Sequence, residues 1–501
     1  MDSITLVWFK KDLRIEDHIP LTTALQQWLP VVWVFCFEPS IMGSPDWSGF
    51  HGQFAKESLA VLKQSLETIL VPLLVYKKEC INVIQHIQKH YNIASVYAHE
   101  ETWNMSTYQR DISVISYLKD QKIPFLESPT NWVVRRLRDR DARNTIRKER
   151  IKIDPLWAPA PQQNFILSDK LSAQTINLWP KRIHPWLQIW WTDQAHKLLD
   201  SFLGDRYTHY TYHVWRPHQS TYSCSRISPY LTYGNLSLRQ VYHTTKQARV
   251  LLVAQRSQYK KWTKDYTHQA KRIRQLDAFT SRLHRHSHFI QKLESETNYE
   301  FENIHPYYDR IRTHHDHQLL DAWKAWRTWY PLIDAAMRCL QATGWINFRL
   351  RATLVSFICN TCLQDRKEPA QYLAKLFTDY EPWIHYPQFQ MQAGTTWINQ
   401  YRIYNATKQA LDKDSDGVFV DTRLPELRNI PVPLKFEPRK LNDSLFGSQY
   451  GVNIWVDYPL PVIDLQTANR KARAVLRDIK KSQWFREIAN EIYLKHGSRK
   501  K

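Results

Sequence analysis

The stretch Tyr330–Phe357, YPLIDAAMRCLQATGWINFRLRATLVSF, decides the fold of this chain. Its apolar residues recur at helical spacing in two runs, which predicts two buried helices. Asp334, Arg338, Arg349 and Arg351 lie inside these runs. Buried arginines need partners, so helices of this kind present a row of cations to something anionic.

The composition bounds the class of protein. At 501 residues the chain is too long for a single hydrophobic core, so it predicts at least two domains. A hydrophobic fraction of 43% is ordinary for a folded protein. The formal charge of +21 favours a polyanionic partner, although a basic surface without a specific ligand has the same signature. The chain contains only 11 glycines, well below the average usage of about 7%.

The sequence contains no run of about 18 apolar residues that would mark a membrane span. Its N-terminus enters an apolar strand without a signal peptide's charged head and cleavage site. We therefore expect a cytoplasmic protein with no membrane partner, with a nuclear or organellar location as the alternative. Cys359 and Cys362 form a CxxC pair, which suits a metal or redox site. Because no second CxxC pair exists and the surrounding run is apolar and helical, we interpret both as buried core thiols.

Strand-like and helical patterns alternate over the first 130 residues, which predicts an α/β domain with a doubly wound parallel sheet. Residues 131–219 contain a run with both charge signs and then a tryptophan-rich run, and they predict an interdomain connector. A charge run is more often a solvated face than a DNA contact. Helical periodicity dominates residues 220–490 and predicts an all-α domain. The expected strands are Ile4–Phe9, Val31–Phe37, Val71–Lys77 and Ser95–Glu100.

Several segments resemble the DNA photolyase/cryptochrome family. Tyr330–Phe357 matches the family signature TGYPxxDAxMRxLxxTGWxxxRxRxxxxSF closely, with Trp329 at a glycine position just before it. The opening VWFKKDLRIEDHIPLTTAL resembles the family's VWFRRDLRxxDNxAL, and residues 377–409 resemble a bacterial branch of the family. The resemblance implies an antenna-type domain over 1–130. It also implies an all-α FAD-binding and DNA-binding domain over 220–490.

The family's cofactor is FAD, and the resemblance places residues of this chain around it. Ser220–Val241 resembles the segment whose hydroxyl residues bind the FAD pyrophosphate at a helix start, a position that favours anions. The alternative interpretation of this segment is a helix cap without a ligand. The implied cofactor residues are Tyr210, Cys224, Ser225, Arg226, Ile227, Ser228, Phe348, Arg351, Asp379, Glu381 and His385.

Two of these residues have implied catalytic roles. Arg351 corresponds to the arginine beside the flavin ring, and His385 lies near the residue opposite the flavin N5 atom. Pairing of the arginines with carboxylates such as Asp365 is the alternative. Asp379 and Glu381 also resemble a hydrolase acid/base pair, but nothing else in the sequence supports a sugar-cleaving site. In this family the N-terminal domain can host an antenna chromophore, whose identity the sequence does not specify.

The resemblance also implies contacts with DNA. Arg349 corresponds to an arginine that faces the lesion. Arg282 and Arg285 align with a glutamate and a tryptophan that contact the pyrimidine dimer in repair enzymes. Arginine binds phosphate but does not reproduce the acceptor role of a carboxylate.

Three histidines at alternate positions, His284, His286 and His288, could share one face of a strand and bind a metal. The surrounding pattern is helical, which spreads the three side chains around a cylinder, so we expect no metal site.

The chain departs from the family at two sets of positions. Arg366 and Phe389 stand where the family has electron-relaying tryptophans, which puts photoreduction by that route in doubt. Where glycine serves a left-handed turn or a close approach, a tryptophan strains the backbone or fills the space. The family glycine positions that hold tryptophan here are Trp132, Trp326, Trp329, Trp383 and Trp397.

The sequence thus predicts a monomeric blue-light flavoprotein, a deoxyribodipyrimidine photolyase that acts on UV-damaged DNA. The lesion would be flipped out of the duplex, and excited reduced FAD would donate the electron that splits the pyrimidine dimer. Two alternatives stay open: a cryptochrome-like light sensor, and a catalytically inactive, basic DNA-binding member of the fold.

Overall fold

A computed structural model describes residues 1–130, 132–135, 137, 142–163, 165–172, 175–176, 188, 192–294, 297–312, 315–398, 402–441, 447–451, 458 and 461–496. The chain divides into two compact units. The sheet unit contains Met1–Thr208, Ser225–Thr297 and Thr378–Ile384. The helical unit contains His209–Cys224, Asn298–Phe377 and His385–Lys501. Each unit therefore collects segments that are distant in sequence.

Five short apolar runs form one sheet in the sheet unit. The strands are β1 (Ser3–Phe9), β2 (Val31–Cys36), β3 (Leu73–Tyr76), β4 (Asn92–His99) and β5 (Phe125–Ser128). Their order is β3-β2-β1-β4-β5, and each neighbouring pair is parallel. In the middle of the sheet, Val7 aligns with Trp33 on one side and Tyr97 on the other. Strands added outward on both sides of the first strand make a doubly wound sheet.

Helices form most of the remaining regular structure. The α-helices are α1 (Ile19–Leu25), α2 (Pro39–Met42), α3 (Gly49–Glu67), α4 (Cys80–Gln88), α5 (Met105–Asp120), α6 (Ala142–Lys152), α7 (Asp169–Ser172), α8 (Thr192–Gly204), α9 (Tyr210–His213), α10 (Pro217–Ser223), α11 (Ser228–Thr232), α12 (Leu238–Ser257), α13 (Lys264–Glu294), α14 (His317–Lys324), α15 (Pro331–Thr343), α16 (Phe348–Ser356), α17 (Lys367–Leu376), α18 (Pro382–Ala393), α19 (Ala406–Lys413), α20 (Val418–Arg423), α21 (Leu465–Asp478) and α22 (Gln483–His496). A π-helix, Phe357–Thr361, follows α16, and short 3₁₀ turns span Arg206–His209, Thr297–Glu300, Pro306–Arg310, Pro425–Leu427, Leu434–Phe436, Pro438–Leu441, Gly447–Tyr450 and Ile479–Lys481. Within the part of the chain that the structure describes, no helix has the length and apolar character of a membrane span.

The central strand is buried on both faces. On one face, Leu6 packs in a cluster with Ile84 of α4 and Leu118 of α5. On the other face, Val7 and Phe9 are buried as well. Burial on both sides explains why β1 is an almost continuous apolar run rather than an alternating one. The predicted α/β class followed by a mostly helical domain is confirmed.

The structure contains one strand that the sequence prediction did not include. β5 was not predicted, because its four residues are partly exposed and lack a clear apolar pattern. The domain boundaries at 130 and 219 stay a prediction. The compact units divide the chain in another way and group Ser225–Thr297 with the sheet. Much of the predicted connector, including residues 177–187 and 189–191, lies outside the described residues.

The stretch Tyr330–Phe357 folds into two helices, as predicted. α15 begins with Pro331 and is followed by the capping residue Gly344, whose left-handed φ of 68° is typical of a helix C-terminus. α16 begins after Asn347, whose side chain accepts a hydrogen bond from the Leu350 N–H group.

The two CxxC cysteines lie in and next to the π-helix, and both are buried. Burial raises the pKa of the Cys359 thiol to about 12, and it also raises the pKa of Cys362. Both groups are therefore neutral thiols at physiological pH, and the interpretation as core thiols is confirmed.

Asp334 is a fully buried carboxylate in the first turn of α15. Its oxygens accept hydrogen bonds from the Thr328 N–H at 2.9 Å, the Thr328 hydroxyl at 2.7 Å, the Trp329 N–H at 3.1 Å and the Tyr458 hydroxyl at 2.7 Å. Burial, the largest cause, raises the pKa of Asp334 to about 6, although the hydrogen bonds oppose the rise. This side chain holds the turn that leads into α15.

We expect Asp334→Ala to lower the free energy of unfolding by about 3 kcal/mol, because four donors lose their acceptor where water cannot replace it. Urea unfolding followed by circular dichroism measures the change. Asp321→Ala is the control, since that side chain on α14 is 74% exposed, and it should change stability by less than about 0.5 kcal/mol. Equal effects of the two substitutions would contradict the structural role of Asp334.

Candidate functional site

Six predicted cofactor residues lie in the sheet unit: Ser225, Arg226, Ile227, Ser228, Asp379 and Glu381. The Ser228 hydroxyl, at the first residue of α11, donates a hydrogen bond to Asp379 Oδ2 at 2.7 Å. Arg226 has a positive φ of 61°, and its Nη2 donates to Gln188 Oε1 at 3.0 Å. The structure therefore brings the turn before α11 into contact with a carboxylate from 151 residues further along the chain.

Glu381 forms a second contact between distant segments of the sheet unit. Its Oε2 lies 2.9 Å from His286 Nε2, and both side chains are largely buried. His286 is on α13, which also carries Arg282 and Arg285. Since residues four apart share one helix face, Arg282 lies one turn from His286 on the face that meets Glu381.

The prediction of a helix around the three alternate histidines is confirmed by α13. The imidazole of His284 contacts the rings of Trp132 and Tyr242, whereas that of His286 contacts Glu381. Burial lowers the pKa of His284 to about 4, so this ring is neutral at physiological pH.

Among the described residues, a different group has the ligand types and spacing of a metal site: Asp12, His18 and His99. His18 Nε2 and His99 Nδ1 donate to the same Asp12 oxygen, at 2.9 Å and 2.6 Å. Burial lowers the pKa of both histidines, that of His99 to about 4. These hydrogen bonds satisfy the carboxylate without an ion, and the expectation of no metal stays a prediction.

The other predicted residues lie in the helical unit: Tyr210, Cys224, Phe348, Arg349, Arg351 and His385. The Arg351 guanidinium is 4.1 Å from the ring centre of Phe377, and its Nε donates to the Ile346 carbonyl at 3.0 Å. His385, in the first turn of α18, donates from Nε2 to the Ala370 carbonyl at 2.9 Å. Its ring centre is 6.0 Å from that of Phe377. Both implied catalytic side chains therefore contact the same aromatic ring.

Arg349 is held by aromatic rings. Its guanidinium is 4.8 Å from the ring centre of Trp215 and 5.1 Å from that of Tyr404. Phe348 completes the group, with its ring centre 5.8 Å from that of Trp215. The buried Nε of Arg349 has no hydrogen-bond partner among the described residues. Contact with rings orients the cation while leaving N–H groups for an anion.

Sequence reasoning missed Lys11, which follows β1 and whose Nζ atom is buried although the residue is partly exposed. Its Nζ is 3.9 Å from the ring centre of Tyr233 and 4.1 Å from that of Trp103, and it has no hydrogen-bond partner within the described ranges. Burial lowers the pKa of Lys11 to about 7, while the nearby Glu101 and Glu381 carboxylates raise it. The available signal was its place after a strand of a parallel sheet, where such folds bind ligands.

Comparison with known proteins identifies the family. The family model of "DNA photolyase" matches residues 5–144, and that of "FAD binding domain of DNA photolyase" matches residues 279–478. Cryptochrome DASH of Synechocystis is 27% identical over 94% of this chain and 97% of its own length. Deoxyribodipyrimidine photo-lyase of Alkalihalophilus pseudofirmus is 26% identical, with the same coverage. A crystal structure of a bacterial class III photolyase from Agrobacterium tumefaciens superposes with a TM-score of 0.79 at 22% identity, covering 96% of this chain and 98% of that one.

The chain belongs to the DNA photolyase/cryptochrome family. FAD is its cofactor, because the match includes the FAD-binding domain. A second, antenna chromophore in the N-terminal domain stays a prediction.

The surroundings of Lys11 generate a test of the site's electrostatics. We expect Glu381→Gln to lower the pKa of Lys11 below its value of about 7, because the ammonium ion loses a nearby negative charge. The titration of ¹³C-labelled lysine followed by NMR measures this pKa.

The matched control for this titration is Glu426→Gln, whose carboxylate pairs with Arg338 in the helical unit and should leave Lys11 unchanged. A Lys11 pKa that is the same in wild type and Glu381→Gln would contradict the described charge arrangement.

Proposed function

We propose that the protein is a light-dependent DNA-repair flavoprotein that splits UV-induced pyrimidine dimers. The observation that carries the proposal is the meeting of Ser228 with Asp379 and of His286 with Glu381 in one compact unit. These contacts bring together implied cofactor residues from two separate segments of the chain and connect them to His286 of α13. A relative with the printed name deoxyribodipyrimidine photo-lyase, aligned over 94% of this chain, supports the same activity.

The chemistry of the residues present fits FAD. Arg226 and the hydroxyls of Ser225 and Ser228 are donors suited to a diphosphate. Asp379 and Glu381 are acceptors suited to the hydroxyl and N–H groups of the cofactor's sugar chain and ring. These five residues would hold FAD.

When bound, reduced FAD supplies the light-driven electron transfer that opens the dimer. Arg351 would place a positive charge beside the ring and so favour its reduced, anionic form. The Phe377 ring and the Ile346 carbonyl orient that guanidinium. His385 would lie at the ring edge, where its hydrogen bond to the Ala370 carbonyl fixes which nitrogen carries the proton.

The arginines provide the contact with DNA. Arg349 would bind a phosphate, because its aromatic neighbours orient the guanidinium and leave donors available. Arg282 and Arg285 on α13 would add two further cations. The formal charge of +21 supports a polyanionic partner of this kind.

A cryptochrome-like light sensor is the second candidate. Arg282 and Arg285 occupy the positions of the glutamate and tryptophan that contact the dimer in repair enzymes, and this favours a protein that has lost the standard lesion contacts. Relatives with the printed names Cryptochrome DASH and Cryptochrome-2 align over 94% and 95% of this chain.

The proposed cofactor residues generate a binding prediction. We expect Arg226→Ala and Asp379→Ala each to weaken FAD binding by about tenfold or more, because each removes a charged hydrogen-bonding partner worth about 1.5 kcal/mol or more. Quenching of FAD fluorescence on titration with protein measures the affinity. Arg249→Ala is the control, since that side chain forms an exposed pair with Asp277. Unchanged affinity in both site variants would contradict the assignment.

The activity itself is tested with an oligonucleotide that carries a cyclobutane dimer. We expect restored bases under blue light and none in darkness, read by chromatography of the oligonucleotide. Arg349→Ala should weaken DNA binding and reduce its salt dependence by about one charge, because one phosphate contact is lost. Lys119→Ala is the control, since Lys119 is exposed on α5, and it should change neither the DNA affinity nor its salt dependence.

Flavin photochemistry without any repair would reject the photolyase activity and leave the light sensor. If Arg349→Ala binds DNA as tightly as the wild type, Arg349 is not part of the DNA contact.

A further inference from the structure

Tryptophan dominates the left-handed backbone positions of this chain. Among the described residues, 11 non-glycine residues have a positive φ, and six of them are tryptophans. Left-handed backbone is rare for residues other than glycine, asparagine and aspartate, and for a bulky residue it is a clear outlier. The six are Trp28 (φ 61°), Trp132 (φ 56°), Trp262 (φ 72°), Trp326 (φ 52°), Trp329 (φ 69°) and Trp397 (φ 59°).

Local hydrogen bonds show that some of these six tryptophans lie in turns whose geometry usually takes glycine. After α14, the Trp326 N–H bonds to the Trp323 carbonyl at 3.3 Å, and the Arg327 N–H bonds to the Ala322 carbonyl at 2.8 Å. This pair of bonds is the Schellman motif, in which the residue at the position of Trp326 is left-handed and usually glycine. The residue that caps α15, Gly344, is a glycine in the same left-handed conformation.

Two more of the six stand at the centre of tight turns. The Thr263 N–H bonds to the Lys260 carbonyl at 3.3 Å, so Trp262 is the third residue of a four-residue turn, where a positive φ favours glycine or asparagine. The Ile398 N–H bonds to the Thr396 carbonyl at 2.7 Å across Trp397, a three-residue turn that is strained when its central φ is positive.

The side chains do not compensate for the backbone cost at two positions. Trp28 is 98% exposed and Trp262 is 92% exposed, so neither ring gains stability from burial. By contrast, Trp33 in β2 and Trp323 in α14 are fully buried and do not have a positive φ. The tryptophans of this chain thus include core residues with ordinary backbone and residues at left-handed positions that usually hold glycine.

The amino-acid composition also indicates that tryptophan stands where glycine is expected. The chain has 21 tryptophans and 11 glycines, whereas glycine alone averages about 7% of residues. A chain of 501 residues with many turns lacks the glycines that such turns ordinarily use. The deficit of glycine and the presence of tryptophan therefore concern the same backbone positions, those with a positive φ.

We propose that these six tryptophans stand at codons that the organism making this protein reads as glycine. The codon UGA is read as tryptophan in some genetic codes and as glycine in others, whereas UGG encodes tryptophan. One difference in the reading of one codon would exchange the six residues together and leave Trp33 and Trp323 unchanged. The inference rests on backbone geometry and composition, and it holds whether or not the protein repairs DNA.

The gene and the native protein test the proposal. We expect UGA at the six positions and UGG at Trp33 and Trp323. Peptide mass spectrometry of the protein isolated from its own organism should give the mass of glycine at each of the six. UGG codons at the six positions, or tryptophan masses in their peptides, would overturn it.

A stability comparison in a recombinant protein gives an independent readout. Trp262→Gly and Trp326→Gly should each raise the midpoint of thermal unfolding by about 2 °C, because left-handed strain is removed. Trp262→Ala, the matched control, removes the same ring but keeps a Cβ, and should gain less than Trp262→Gly. Trp323→Gly should lower the midpoint, since that ring is core. An equal or lower midpoint for both glycine variants would count against glycine at these positions.

Discussion

The backbone of Gly234 lies so close to the loop after β1 that no side chain fits between them. With φ at 71°, a Cβ atom on this residue would lie 2.3 Å from the Lys11 carbonyl oxygen and 2.5 Å from the Asp12 Cα. The Leu13 N–H bonds to the Tyr233 carbonyl at 3.0 Å, and Arg14 Nη1 bonds to the Gly234 carbonyl at 2.9 Å. This contact joins the sheet to the segment that carries the turn before α11, and the arrangement of the sheet unit depends on it.

The same physical constraint applies at the six left-handed tryptophans. Their backbone conformation is one that glycine adopts without strain and that tryptophan does not. At position 234 the chain has glycine, which adopts the left-handed backbone without strain. At position 326 the hydrogen bonds are those of a helix end capped by glycine, but the residue is tryptophan, which is strained there. Trp383 differs from this set. It stands at a family glycine position, but it lies inside α18 and does not have a positive φ. Backbone conformation thus separates positions that the sequence alone placed in one class.

Local patterns predicted most of the fold, because strands and helices depend on spacing that can be read within ten residues. Four of the five strands and the two helices of Tyr330–Phe357 follow from apolar periodicity. The contact between Ser228 and Asp379 could not be predicted from spacing, since the two residues meet only through tertiary packing. The aromatic surroundings of Lys11 come from separate segments and were missed for the same reason. The resemblance named the cofactor residues but not the hydrogen bonds that each of them makes.

The central claim is that this chain binds FAD with Ser225, Arg226, Ser228, Asp379 and Glu381 of the sheet unit, and the visible absorption spectrum tests it most directly. The protein should be purified from the organism that makes it, so that its residues are those the native ribosome inserts. We expect flavin absorption with close to one FAD per chain. A colourless protein that gains no flavin absorption after incubation with FAD and removal of the excess would contradict the account.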